Sequence, residues 1–487
     1  MSLIKFGLSF IQKIVKVKLA LFRMKSNIHY FFHPKSVAVI GASDKEYSWG
    51  HWVGKNLLEY KAQGNVYVIN PKHDTVLGEK SYKEIRDLPE DIDLAVVINP
   101  APQVVSTLEE CATQGAKVAT IISAGFGETV EGKKYREGLK KVVREYGIRL
   151  QGPNCAGFYN MSAPINSSPL DTRFLKESPV AFVTQSGYVG NSLTVWGSAR
   201  NLDMGKYISV GNEADLSVVE YIDYFSTDPT TEVIMVYIEG LRDGERFREV
   251  VRDAIPKKPI IVWKASETTA VRRAALSHTA HLTGAEGIFR GLMSQIGVYQ
   301  LRKLEYGLLV CHGLLRYPPL QGNRMAVLMM GAGWGIILTD SLTNAGFEVP
   351  EFSNDLKQKL KELLPSYRVS VKNPIDWGAA NSMDFGILKK IAQGVFESGE
   401  VDGFIIANIG DLAPFQEEAS VLEVQLAKTL LRVQRKSQKP IYLFTPLSEL
   451  DSTSVSIIKK KMNMYHTTDS LLETLRAQLF FHQKKKA

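Results

Sequence analysis

The stretch Ser36-Val-Ala-Val-Ile-Gly-Ala-Ser43 decides how the rest of the chain is interpreted. It is a short apolar run, rich in β-branched residues, that ends in a glycine turn, which is typical of a buried strand leading into a helix. Similar runs follow, separated by longer mixed segments: Val66–Ile69, Leu94–Ile98, Val118–Ile122, Val180–Thr184, Tyr207–Val210, Val233–Ile238, Pro259–Trp263, Met325–Met330, Gly403–Asn408 and Ile441–Phe444. This alternation predicts βαβ units whose parallel sheets are covered on both faces.

The chain has 487 residues, which is too many for one hydrophobic core. The strand runs fall into three groups, and the Pro- and Gly-containing stretch Arg316–Gly322 is typical of a linker. We therefore predict an α/β protein made of three consecutive doubly wound parallel-sheet domains. The predicted bounds are 1–30 for a basic amphipathic N-terminal segment and 31–160, 175–315 and 322–475 for the domains.

The composition indicates an ordinary globular protein, because 45% of the residues are hydrophobic and 23% are charged. Three cysteines, Cys111, Cys155 and Cys311, lie far apart in the sequence. This spacing argues against a disulfide framework and favours a reducing compartment, so we expect the cytoplasm. Neither Cys-x-x-Cys nor His-Glu-x-x-His occurs, and we predict no metal site.

The net charge of +8 is concentrated at the two ends of the chain. Residues 1–25 contain only basic charged side chains: Lys5, Lys13, Lys16, Lys18, Arg23 and Lys25. A basic amphipathic helix here is typical of membrane-surface contact or of a targeting sequence, and packing on the protein's own body or on a partner is the alternative. No apolar run approaches the roughly 18 residues that span a bilayer. The clustering at the termini argues against nucleic-acid binding.

Polar and glycine-bearing turns follow several predicted strands. Gly41-Ala-Ser43 follows the first strand, Asn70-Pro-Lys72 the second, and Ser123-Ala-Gly-Phe-Gly127 a fourth. Ligands of open parallel sheets bind at the carboxyl ends of strands, so these turns together predict a cleft with backbone amides and a cation. Such a cleft suits a phosphorylated, adenine-containing ligand, although each turn alone is equally compatible with a plain strand–helix junction.

The second predicted domain contains two further candidates. Ser186 and Gly187 would begin a helix after the strand Val180–Thr184, where they form either an anion site or a simple N-cap. His278 lies among small and polar residues, and an imidazole attacks phosphorus when a carboxylate holds its other nitrogen. Glu239, at the end of the strand Val233–Ile238, is the candidate carboxylate. His281 is the rival nucleophile, and a surface histidine is the alternative.

The motifs, taken in order, resemble the α subunit of ADP-forming acetyl-CoA synthetase, in the NDP-forming acyl-CoA synthetase family and the succinyl-CoA synthetase superfamily. The similarity extends over about residues 33 to 475. It rests on Val39–Ser43, Asn70–Lys72, Ser123–Phe126, Gly152–Gly157, Thr184–Gly187, Ile208–Glu213, Tyr237–Gly240, Ala275–Thr279, Gly331–Gly335, Ala345–Pro350 and Lys372–Asp376. The resemblance implies a Rossmann-like CoA-binding domain followed by two flavodoxin-like CoA-ligase domains.

The resemblance also implies roles for individual residues. His278 would be the phosphohistidine, Glu239 its carboxylate partner, and Ser186 and Gly187 the binding site of the transferred phosphoryl group. CoA, a substrate, would bind near Gly41, Ala42, Ser43, Lys72, Ser123, Ala124, Gly125, Phe126 and Asn154. The implied reaction interconverts acyl-CoA, phosphate and ADP with the acid, CoA and ATP through an acyl phosphate and the phosphohistidine.

The three predicted domains contain no ATP-grasp module, which the family uses for its nucleotide. The resemblance therefore implies a separate ATP-grasp β subunit that binds most of the Mg-nucleotide, in an α2β2-type hetero-oligomer. The chain departs from the family at Ala280, where glycine is usual, and at Trp49, His51 and Trp52. A non-catalytic CoA- or acyl-CoA-binding regulator with the same fold is the alternative. A dehydrogenase is disfavoured, because the second strand ends in Asn70-Pro-Lys72 and not in an acidic residue.

Overall fold

The structure is a computed structural model that describes residues 27–127, 130–265, 286–330, 332–364, 369–378, 384–450 and 452–486. The chain divides into two compact units, one of Met1–Ala199 with Asp203–Gln300 and the other of Arg200–Leu202 with Leu301–Ala487. Within the described ranges, no helix is long and apolar enough to cross a membrane.

The first sheet belongs to the first unit, and its strands are β1 (Ser36–Ile40), β2 (Asn65–Ile69), β3 (Thr75–Val76), β4 (Glu79–Tyr82), β5 (Leu94–Val97), β6 (Val118–Ile121) and β7 (Arg149–Gln151). Their order is β3-β4-β2-β1-β5-β6-β7, and all neighbours are parallel except β3 and β4. The helices are α1 (His29–Phe32), α2 (Trp49–Leu58), α3 (Ala101–Thr113) and α4 (Val130–Tyr146). Successive strands leave β1 in opposite directions, so a ligand crevice opens at its carboxyl end.

The second sheet also belongs to the first unit, with β8 (Phe158–Asn160), β9 (Ile165–Asn166), β10 (Val180–Thr184), β11 (Lys206–Ser209), β12 (Val233–Ile238), β13 (Ile260–Lys264) and β14 (Tyr299–Gln300). The order is β14-β13-β12-β10-β11-β8-β9, with β8 and β9 antiparallel to their neighbours. Its helices are α5 (Gly187–Ser198), α6 (Val218–Thr227), α7 (Gly244–Ala254) and α8 (Glu286–Ile296). The second domain was predicted to begin at residue 175, but its sheet begins earlier, at Phe158.

One apolar core joins the two sheets of the first unit. It extends from α1 through the inner faces of both sheets. Phe31 and Phe32 are almost fully buried, and both pack edge-on against Phe158 at ring-centroid distances of 5.9 and 5.7 Å. Burial of each ring stabilises the fold by about 1.5–3 kcal/mol. The folded body of the protein therefore includes α1, which begins at His29.

The third sheet lies in the second unit, with β15 (Met325–Met329), β16 (Ile375–Asp376), β17 (Gly403–Ala407), β18 (Ile441–Phe444) and β19 (Met464–Tyr465). The order is β16-β15-β17-β18-β19, and every neighbouring pair is parallel. The helices are α9 (Gly307–Arg316), α10 (Ala332–Asn344), α11 (Asn354–Leu363), α12 (Phe385–Glu397), α13 (Ser420–Ser437), α14 (Thr453–Ile458) and α15 (Thr468–Lys486).

The stretch Arg316–Gly322, predicted to be a linker, is packed into the second unit. Tyr317 and Leu320 are buried, and the Tyr317 hydroxyl donates a hydrogen bond to the Asn463 carbonyl at 3.1 Å. The Arg316 guanidinium donates to the Asn463 side chain at 2.9 Å. The stretch was predicted to be a linker, but its apolar and aromatic side chains bury it in the second unit.

Candidate functional site

The turn after β1 is shaped by two glycines. Gly41 has a φ of +96°, in the left-handed region that favours glycine. A Cβ on Gly50, in the first turn of α2, would lie 2.3 Å from the Gly41 carbonyl oxygen. Ser48 caps α2, since its hydroxyl accepts a hydrogen bond from the His51 N–H at 3.2 Å. The start of α2 therefore lies directly against the turn, and its free N–H groups form a site suited to a phosphate.

Hydrogen bonds connect this turn to the loop after β2. The Asn70 side-chain amide donates to the Ala42 carbonyl at 3.2 Å, and its oxygen accepts the Lys72 N–H at 2.9 Å. The Lys72 side chain is exposed. Lys72 therefore belongs to a loop that Asn70 joins to the glycine turn, and its contact with a phosphate stays a prediction.

The loops after β6 and β7 are joined in the same way. The Ser123 hydroxyl donates a hydrogen bond to the Asn99 carbonyl, and the Ser123 carbonyl accepts the Asn154 N–H at 2.9 Å. Asn154 has a φ of +57°. The structure therefore brings Ser123 and Asn154 together at the carboxyl edge of the first sheet.

Three residues that depart from the family pattern, Trp49, His51 and Trp52, lie in the first turn of α2. Tyr47 and Trp49 are largely exposed, at 83% and 40%. His51 and Trp52 line a cavity of about 520 Å³, together with Asp171 from the segment after β9. The cavity wall carries both carboxylates and aromatic rings, and so it differs in chemistry from the amide-rich turn.

The second candidate edge is the start of α5. Ser186 caps this helix with a long 3.5 Å hydrogen bond from the Val189 N–H to its hydroxyl. A Cβ on Gly187 would lie only 2.5 Å from the Cβ of Ala156, and only a glycine permits this approach. The helix start therefore lies against the turn that follows β7. The N-cap prediction for Ser186 fits this geometry, and the remaining helix-start N–H groups can receive an anion.

The Glu239 carboxylate follows β12 directly. Among the described residues its Oε2 is buried and has no hydrogen-bond partner. The pKa of Tyr237 is raised to about 12, mainly by burial and then by the negative charge and hydrogen bond of Glu239. Tyr237 is also stacked on Trp263 at a centroid distance of 5.1 Å. Glu239 thus offers a shielded carboxylate oxygen next to a tyrosine that keeps its proton.

His278 and His281 lie outside the described residues, within 266–285. The chain enters that segment next to Glu239, because β13 pairs in parallel with β12 and Lys264 is opposite Ile238. The Ala265 N–H donates to the Ile238 carbonyl at 2.9 Å. Ala265, the last described residue before the segment, therefore directly follows the strand neighbouring the one that Glu239 follows.

Two side chains near this edge were missed by the sequence reasoning. Gln185 is buried between β10 and α5 and hydrogen-bonds the backbone of Glu239. Arg242 donates hydrogen bonds to the Asn212 and Glu213 carbonyls in the turn after β11. Burial, and to a smaller extent the positive charge of Arg136, lowers the pKa of Arg242. Gln185 lies within the motif Thr184–Gly187, but the sequence assigned a role only to Ser186 and Gly187, and Arg242 lies in no motif.

Comparison with known proteins matches two parts of the chain to family models. Residues 35–161 match a CoA binding domain, and residues 177–312 match a succinyl-CoA ligase like flavodoxin domain. The chain is 36% identical to the acetate–CoA ligase [ADP-forming] II subunit alpha of Pyrococcus furiosus, over 72% of this chain and 76% of the relative. It is 34% identical to the acetate–CoA ligase [ADP-forming] of Methanocaldococcus jannaschii, over 72% of this chain and 49% of the relative.

A solved structure is similar over almost the whole chain. It is the dinucleotide forming acetyl-coenzyme A synthetase 1 of Candidatus Korarchaeum cryptofilum in complex with phosphate and ADP, with 28% identity and a TM-score of 0.81. The match covers 94% of this chain and 97% of that chain. Together with the parallel sheets described above, it confirms the predicted α/β fold class.

Proposed function

This chain belongs to the family of ADP-forming acetate–CoA ligase α subunits, and from that premise we propose how its residues divide the reaction. The enzyme is an NDP-forming acyl-CoA synthetase, which interconverts acyl-CoA, phosphate and ADP with the acid, CoA and ATP. The observation that supports the assignment of residues most directly is the buried Oε2 of Glu239, which has no hydrogen-bond partner within the described ranges and lies at the edge where β13 leads into the His278 segment.

We place the substrate CoA at the carboxyl edge of the first sheet. We assign its phosphates to the turn Gly41–Ser43 and to the exposed Lys72, because backbone N–H groups and a cation both stabilise negative charge there. The loop Ser123–Phe126 and Asn154 complete this edge, since a hydrogen bond joins them. The thioester end of the molecule then extends toward the turn that contacts Gly187.

The first chemical step joins phosphate to the acyl group. A phosphate oxygen attacks the thioester carbonyl carbon, the new C–O bond forms, the C–S bond breaks, and CoA leaves as the thiolate. The products are acyl phosphate and CoA. Ser186, Gly187 and the start of α5 hold the phosphoryl group, because the helix N-terminus favours an anion.

The second step transfers the phosphoryl group to His278. A neutral imidazole nitrogen attacks phosphorus, the P–N bond forms, the bond from phosphorus to the acyl oxygen breaks, and the free acid leaves. The other ring nitrogen carries a proton and donates a hydrogen bond to Oε2 of Glu239, which no described side chain or backbone group occupies. This carboxylate fixes the tautomer and stabilises the charge that develops on the ring.

The phosphohistidine passes its phosphoryl group to ADP with the help of a separate partner subunit. The Pyrococcus furiosus relatives are alpha subunits by name, and the Methanocaldococcus jannaschii relative is about twice the matched length. We assign the Mg-nucleotide to an ATP-grasp β subunit and expect an α2β2-type assembly. This division leaves the CoA and acyl-phosphate half of the reaction on the present chain.

The test is phosphorylation of the full chain by acetyl-CoA and ³²P-labelled phosphate. We expect acid-labile label on the wild-type protein, and slower labelling for Glu239→Gln. Glu245→Gln is the matched control, since Glu245 is an exposed carboxylate at the start of α7. Wild-type protein that binds acetyl-CoA but takes up no label would instead favour the non-catalytic regulator.

A further inference from the structure

Gln185 connects the two strands that end at the proposed phosphoryl site. It follows β10 immediately, precedes the N-cap Ser186, and is only 5% exposed. Its Oε1 accepts hydrogen bonds from the Glu239 N–H at 2.6 Å and the Gly240 N–H at 3.2 Å. Its Nε2 donates to the Gly240 carbonyl at 2.8 Å. All three bonds of this side chain therefore go to two consecutive residues.

These bonds replace a missing part of the sheet ladder. Strand β12 ends at Ile238, so Glu239 and Gly240 lie beyond the last residue paired to β13. Their backbone groups would be left without partners in a buried place, where each unsatisfied group costs about 1–3 kcal/mol. The Gln185 amide satisfies them and holds the backbone of Glu239 at a fixed distance from the start of α5.

The Glu239 side chain is constrained at the same time. Its Oε2 is buried without a partner among the described residues, while Tyr237 is packed on Trp263 beside the carboxylate. A carboxylate oxygen that accepts an imidazole N–H needs a fixed position, since such hydrogen bonds weaken steeply with misalignment. The backbone clamp and the packed tyrosine together determine where that oxygen points.

We propose that Gln185 is a positioning residue, whose three hydrogen bonds hold the Glu239 backbone so that the unpartnered carboxylate oxygen is presented to the phosphorylated imidazole. This inference rests on the proposed role of Glu239. Gln185 itself touches neither the phosphoryl group nor the imidazole in this scheme. Its effect is transmitted through Glu239 alone.

The test measures labelling of the full chain by acetyl-CoA and ³²P-labelled phosphate. Gln185→Met keeps the length of the side chain and removes all three bonds, and we expect labelling to slow roughly 10- to 100-fold, the usual loss for a residue that orients another. Gln434→Met is the matched control, because Gln434 is equally buried and its amide bonds the backbone of Ile441 and Arg316. The control should label within about twofold of the wild type.

A double variant separates positioning from a general structural effect. If Gln185 acts through Glu239, Gln185→Met should add nothing to the loss caused by Glu239→Gln. Half-saturation by acetyl-CoA should stay unchanged in both single variants. Losses that multiply in the double variant, or a Gln185→Met rate equal to that of Gln434→Met, would overturn the inference.

Gln185→Glu keeps the inference testable if Gln185→Met does not fold. It retains the two acceptor bonds and loses only the donor to Gly240, so labelling should be faster than in Gln185→Met. Labelling as slow as in Gln185→Met would contradict the positioning role, because the bonds from the Glu239 and Gly240 N–H groups are kept in this variant. If Glu239→Gln labels like the wild type, the role of Glu239 fails as well. If only Glu239→Gln is slow, the role of Gln185 alone fails.

Discussion

Replacing Gly187 by alanine tests whether the start of α5 must lie against the turn after β7. The new Cβ would stand 2.5 Å from the Ala156 Cβ and 3.2 Å from the Ala156 nitrogen. Ordinary contact needs about 3.5–4 Å, so the helix start and the turn must separate by about 1 Å. Such overpacking destabilises a fold by about 1–3 kcal/mol, and a displacement of about 1 Å at a reacting group can slow a reaction roughly 100-fold.

Gly244→Ala is the matched control for this substitution. Gly244 is also the first residue of a helix, follows the N-cap Asp243, and has open space where a Cβ would stand. Alanine should be neutral there or stabilise the fold by up to about 1 kcal/mol. Urea unfolding and labelling by acetyl-CoA and ³²P-labelled phosphate are measured on both variants. Equal stability and equal labelling of the two would refute the close approach of α5 to the Cys155–Gly157 turn.

Three further predictions follow from the same structure. Lys72→Glu should weaken CoA binding at least about tenfold in calorimetry at low salt, since one charge at about 4 Å is worth about 1 kcal/mol in water and charge reversal counts it twice. Lys35→Glu, at the opposite end of β1, should leave CoA affinity unchanged, and equal affinities of the two variants would remove Lys72 from the site. A chain that begins at Met24 keeps α1 and should fold and bind CoA, whereas one that begins at Lys35 loses Phe31 and Phe32 and about 3–5 kcal/mol for each ring; insolubility of the Met24 chain would show that the first residues are structural. Folding raises the pKa of Tyr237 from 10.0 to about 12, so its contribution to stability is complete below pH 10 and is lost as pH rises toward 12. The difference in unfolding free energy between wild type and Tyr237→Phe should therefore shrink over that range, and a constant difference contradicts this prediction.

The strands of all three sheets were predictable because most are continuous apolar runs. Val180–Thr184 and Val233–Ile238 were predicted with the observed bounds, and Met325–Met330 differs from β15 by one residue. Strands β3, β4, β7, β8, β9, β14, β16 and β19 were not predicted, since each has only two to four residues and no periodicity can show in so short a segment.

The site was predictable only in part. Ser186 and Glu239 follow apolar strands and lie at the sheet edge as predicted, because parallel strands end at a common edge. The clamp by Gln185 could not be predicted, since its partners are 54 and 55 residues away. The need for glycine at position 187 likewise depends on its contact with Ala156, which lies in the turn after β7 of the first sheet.

The most direct test of the account is the position of the phosphoryl group on the protein. Wild type, His278→Ala and His281→Ala are incubated with acetyl-CoA and ³²P-labelled phosphate, and the acid-labile label is counted and mapped by peptide mass. A neutral imidazole oriented by a carboxylate is the nucleophile in this scheme. We expect label on wild type and on His281→Ala, with none on His278→Ala. Label that persists in His278→Ala and disappears in His281→Ala would contradict it.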